Sequence, residues 1–116
     1  MRPSGFAMCL LIAAVPASAQ QWDLCAVPGA RTIRGTVVDS AGRRATAGYV
    51  ALIRQIEQDG LPIPQRCETP IRADGTFEFA AVVSDSLDLT ATTAWAVNGI
   101  ARVPAGNETF VVEVTV

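Results

Sequence analysis

The sequence predicts an all-β domain of about seven strands, arranged as two packed antiparallel sheets. Two observations carry this reading. From Thr32 onward, short runs of β-branched and apolar residues alternate with polar ones, and clusters of Gly, Asp, Asn, Pro and Ser separate the runs at fairly regular intervals. No segment reads convincingly as a helix, which leaves sheet on sheet as the way to bury the alternating faces. An open barrel of the oligonucleotide-binding type would use fewer, longer and more curved strands.

The chain opens with a different pattern. Arg2 precedes an apolar run from Phe6 to Val15, followed by Pro16 and the small residues Ala17-Ser-Ala19. This is the order of a signal peptide, with Ala17 and Ala19 at the positions a signal peptidase requires, and cleavage is expected before Gln20. The apolar run is too short to be a membrane anchor, which needs roughly 20 residues. The expected organisation is therefore a signal peptide at 1–19, an N-terminal arm at 20–31 and a sandwich domain at 32–116, exported to the periplasm or secreted. Abundant alanine, nine arginines and no lysine suggest a GC-rich bacterial source.

Removing the first 19 of 116 residues leaves 97, enough for one two-layer core. After Arg2 departs, eight arginines face eleven acidic residues, so the net charge is −3 and no nucleic-acid partner is expected. Two cysteines remain, Cys25 and Cys67, and an even count in an oxidising compartment reads as a disulfide pinning the arm to the body.

The elements follow in order. Thr32 to Asp39 alternates Ile33, Gly35 and Val37 against Arg34 and Thr36, then breaks at Ser40-Ala-Gly42. Tyr49 to Gln55 directs Val50 and Leu52 inward and Tyr49, Ala51 and Ile53 outward. Ile56 to Gln65, with Asp59-Gly60 and two prolines, reads as a loop, and Arg66 to Arg72 as a short edge strand interrupted by proline. Asp74-Gly75 turns into Thr76–Ala80, where Phe77 and Phe79 point inward. Leu87 to Ala96 repeats the alternation with Leu87, Leu89 and Ala91, Asn98-Gly99 marks a hairpin, and Ile100 to Val103 returns. Gly106-Asn107 precedes the last strand, Thr109 to Val116, with Phe110, Val112, Val114 and Val116 on one face.

These segments resemble the carboxypeptidase regulatory-like domain, a transthyretin-like (prealbumin-like) β-sandwich of exported bacterial proteins. The resemblance spans roughly 32–116. It rests on Ile33-x-Gly35-x-Val37-x-Asp39-x-x-Gly42, on Gly48-x-Val50-x-Leu52, on Ala73-Asp-Gly-Thr-Phe-Glu-Phe79 and on Leu87-x-Leu89-x-Ala91. Arg43-Arg44 replaces the family's proline after the first turn, Ser84-Asp-Ser86 lacks its glycine, and Leu87 stands for its tyrosine. The resemblance implies a non-catalytic module, and fold alone does not transfer function.

The chemistry available is narrow. With no histidine and no lysine, a Ser-His-Asp triad lacks its base, histidine-based metal sites lack their ligands, and lysine-to-asparagine isopeptide crosslinks cannot form. No cofactor is expected. Asp85 and Asp88 could join Asp39 or Asp74 at one end of the sandwich to hold calcium, although the spacing is not that of a calcium loop, and turn-capping is the simpler role. Trp22, Tyr49 and Trp95 are candidate ligand-binding aromatics. Trp95 shares the inward parity of Leu87, Leu89 and Ala91 and fits the core, while Tyr49 is the better surface residue. The leading expectation is a non-enzymatic structural, adhesive or protein-binding accessory at the cell envelope; the alternative is a carbohydrate-binding module. The last strand, with Glu113 its only charge, also offers an edge that could pair with another chain.

Overall fold

The computed structural model describes residues 22–94 and 99–116. The expected signal peptide, Trp95 and Asn98 lie outside them. The described residues form strands β1 (Arg31–Val38), β2 (Tyr49–Gln58), β3 (Leu61–Pro70), β4 (Thr76–Val82), β5 (Leu87–Thr92), β6 (Gly99–Val103) and β7 (Phe110–Thr115). They make a three-stranded sheet in the order β4-β1-β7 and a four-stranded sheet in the order β3-β2-β5-β6. The all-β, two-sheet expectation holds.

The period of two selects the core. Ile33, Val37, Phe77, Phe79 and Val114 meet Val50, Leu52, Leu87, Leu89, Ala91 and Val103 between the sheets. Phe77 and Phe79 pack edge to face, with ring centroids 6.2 Å apart. Gly35 lies opposite Phe77 on β4 and Val112 on β7. A side chain there would overlap the Val112 carbonyl and crowd the Phe77 ring, so the glycine of the first motif makes room for the aromatic of the third.

Two local readings are corrected. The segment 56–65 is not a loop: β2 and β3 form one long hairpin, paired from Tyr49↔Pro70 to Gln58↔Leu61 around Asp59-Gly60. Both turn residues have positive φ, 54° and 79°, as a tight two-residue hairpin requires. The prolines misled because a proline nitrogen cannot donate to a ladder. Here Gln58 and Leu61 flank the turn as a hydrogen-bonded pair, so Pro62, Pro64 and Pro70 fall in the alternate positions, with their nitrogens facing away from β2 on an edge strand. Second, β1 and β7 run parallel, from Ile33↔Phe110 to Val38↔Thr115, rather than antiparallel. Parallel neighbours need a long crossover, and the strands between them supply it.

A bulge in β4 changes its parity. Arg31 pairs with Val82 but Ile33 with Phe79, and Ala81 has φ 57°. The extra residue turns Val82 inward, where strict alternation would place Ala81. Ahead of β1, a short 3₁₀ turn at Leu24–Ala26 buries Leu24 and is tied to β3 by the Cys25–Cys67 disulfide, with Cα atoms 5.1 Å apart.

Candidate functional site

The solvent face of the four-stranded sheet carries the candidate site. Register places Pro70, Tyr49 and Thr92 in one row, Glu68, Ala51, Thr90 and Ile100 in the next, and Arg66, Ile53, Asp88 and Arg102 in a third. Ala51 is fully buried although it faces outward, because its methyl lies between the longer Glu68 and Thr90. Tyr49 is 37 % exposed, and Arg66 holds its guanidinium 6.0 Å from the ring centroid, within cation–π range. Arg66 also pairs with Glu68, its Nη2 2.7 Å from Oε2. An aromatic ring thus stands beside a cationic donor and an anionic acceptor on the solvent face of the sheet.

The third row borders a shallow depression of about 480 Å³ lined by Ile53, Arg54, Asp85, Ser86, Asp88 and Arg102. Arg102 donates to Asp88 at 2.7 Å and to the Ser86 hydroxyl at 3.1 Å. Arg54 donates to Asp85 at 2.9 Å and twice to the buried Gln65. Beneath this end, Arg31 is 2 % exposed and donates to the carbonyls of Val83, Asp85 and Pro104 at 2.6–2.7 Å. Its Nε–H is buried without an acceptor among the described residues. Burial lowers the Arg31 pKa, and the Asp85 charge opposes the shift.

The expected grouping of aspartates at one end is corrected by the topology. Asp85 lies beside Arg31 at the start of β1, whereas Asp39 follows the end of β1, an eight-residue strand. Asp74 belongs to the end where Asp39 lies, because the Gly75 carbonyl accepts from Val37 and the Asp74 carbonyl from Arg44. Asp85 and Asp88 instead hold Arg54 and Arg102. Asp39 and Asp74 order turns. Hydrogen bonding from the Arg43 backbone N–H holds the Asp39 carboxyl below its usual pKa, and the Thr76 hydroxyl does the same for Asp74. Among the described residues no group of three or more Cys, Asp or Glu side chains is placed to hold a metal ion.

Of the candidate aromatics, Tyr49 is on the sheet face. Trp22, 49 % exposed, is on the arm next to Asp23, which bridges to Arg66. Sequence reasoning passed over Arg66 and Glu68. Their alternation with Gln65 and Cys67 along β3 would have placed them outward, had β3 been read as one long strand.

No protein-family model matches the chain, and no curated protein matches it in sequence. Solved structures resemble it in fold. A Pseudomonas aeruginosa protein proposed to bind carbohydrate superposes with a TM-score of 0.57 at 14 % identity, over 77 % of this chain and 90 % of that one. Part of the oligosaccharyltransferase AglB of Archaeoglobus fulgidus superposes with a TM-score of 0.50 at 11 % identity, over 76 % of this chain and 11 % of that one. At these identities the likeness is one of fold.

Proposed function

We propose that this chain is a non-catalytic glycan-binding domain acting outside the cytoplasm, as an accessory at the cell envelope. The observation that carries this reading is the exposed Tyr49 ring flanked by Arg66 and Glu68. An aromatic face stacks on the C–H face of a sugar ring, while adjacent charged groups donate and accept hydrogen bonds at its hydroxyls. The sandwich of the Pseudomonas aeruginosa protein proposed to bind carbohydrate supports the glycan-binding part of this reading, and the resemblance to carboxypeptidase regulatory-like modules supports only its non-catalytic part. The Cys25–Cys67 disulfide fits an oxidising compartment.

The test is a two-dimensional NMR titration of the protein with a panel of neutral and acidic oligosaccharides. Shifts should cluster at Tyr49, Ala51, Arg66, Glu68 and Thr90, and Tyr49→Ala should weaken binding by about tenfold or more. A panel producing no shifts, or shifts on another face that survive Tyr49→Ala, would overturn the reading.

A further inference from the structure

We propose that the open edge of β7 is a self-association surface, on which a second copy pairs antiparallel about a two-fold axis at Val112. Arg34 of each copy then meets Glu113 of the other. This surface belongs to the three-stranded sheet and is independent of the glycan reading.

Four strands end the two sheets, and three of these edges are obstructed. The β3 edge carries Pro62, Pro64 and Pro70 and is bridged by the arm at Asp23↔Arg66. The β4 edge is kinked by its bulge at Ala81. The β6 strand has only five residues and is followed by Pro104. By contrast, β7 has no proline and one charged residue, and like Ile100 of β6 its Val111 is an exposed apolar side chain, at 63 %; unlike β6 it runs for six residues with no proline directly after it.

The direction of its backbone groups follows from one bond. Val116 N–H donates to Val38 O on β1, and in a parallel ladder alternate residues share that direction. Val112 and Val114 therefore address β1, while Val111, Glu113 and Thr115 present N–H and C=O to the open side. Gly99 of β6 closes the lower part, since a Cβ there would lie 2.6 Å from the Thr115 carbonyl oxygen. Among the described residues, what stays open is the segment from Val111 to Glu113.

Only residues with outward backbone groups can form the hydrogen-bonded pairs of an antiparallel dimer, which leaves three two-fold centres in this segment. Centring on Glu113 opposes two carboxylates. Centring on Val111 pairs Glu113 with Thr109. Centring on Val112 sets Val111 opposite Glu113 of the second copy, twice. In that register Arg34, next to Val111 across β1 and β7, lies two strand spacings, roughly 10 Å between Cα atoms, from the second Glu113, within side-chain reach. Both residues are exposed, and neither has an ion pair or side-chain hydrogen bond among the described residues. Glu78, opposite Arg34 on β4, is engaged by Arg72. On the inner face the same register sets Val112 against Val112 and Phe110 against Val114. The edge is self-complementary, as a two-fold interface must be.

Sedimentation velocity on the full chain, purified from an exporting host, tests this over a wide concentration range. The expected result is a monomer–dimer equilibrium that Glu113→Arg or Arg34→Glu each weaken by about tenfold or more, and that the double reversal restores. Circular dichroism melts at concentrations where every variant is monomeric, unchanged by these surface substitutions, separate loss of pairing from loss of folding. A chain that stays monomeric throughout, a dimer indifferent to the single reversals, or a double reversal that fails to restore pairing would each overturn the proposal.

Discussion

Arg31 brings a full charge to the end of the core and is held there by carbonyl oxygens rather than by a bidentate carboxylate. Those oxygens belong to the β4–β5 and β6–β7 connections, so one guanidinium ties two loops to the first strand. Its inward position follows from the parity of Ile33, Gly35 and Val37, extended two residues back. At the opposite end, Asp39 and Asp74 stabilise turns as anions. Their carboxyls bind protons more weakly folded than unfolded, so their contribution is complete above the unfolded value near about 3.9 and is lost as pH falls through the folded values. Thermal unfolding between about pH 6 and pH 2 should show the melting temperature falling at the acid end. The Asp39→Asn/Asp74→Asn variant should fall less steeply; an identical slope would remove these two groups as the cause.

The β1 strand is set by close approach as much as by alternation. Gly35 lets the β7 backbone and the Phe77 ring come together in a space that even a methyl would overfill. Gly35→Ala should destabilise the domain by about 2–3 kcal/mol, read as a lower urea midpoint at unchanged slope. A neutral result would mean that β7 can move off β1 without loss. The β2–β3 hairpin works by a different rule. Beyond Ile53 its strands pair, among the described residues, only with each other, so its outer half depends on the Asp59-Gly60 turn and on prolines placed where no donor is needed.

For the molecule as a whole, the Cys25–Cys67 disulfide joins the arm to the open side of the sandwich. There Leu24, Leu52, Cys67, Phe79 and Val82 line a crevice of about 200 Å³ between β3 and β4. The arm brings Leu24 to that opening, so its attachment protects the core. The crosslink spans 42 residues, and in the chain-entropy account such a loop is worth about 4 kcal/mol. Replacing both cysteines by serine should lower unfolding stability by a comparable amount in chemical denaturation. An unchanged midpoint would mean that the arm packs equally well untethered.

The sequence by itself determined the fold class and most of the strands, because a period of two between turn-forming clusters has few other ways to bury its apolar face. It also determined the absence of histidine and lysine, the cysteine pair and the outward parity of Tyr49. Tertiary structure alone decided what depends on neighbours distant along the chain. Pro62 and Pro64 are compatible with a strand only at an edge, and edges are a property of the assembled sheet. Arg66 and Glu68 become neighbours of Tyr49 only through the hairpin register, and Asp85 parts from Asp39 because β1 runs the length of the domain between them. The parallel course of β7 beside β1, which leaves Val111 and Glu113 facing outward, was likewise fixed by the path of the intervening strands rather than by any local pattern.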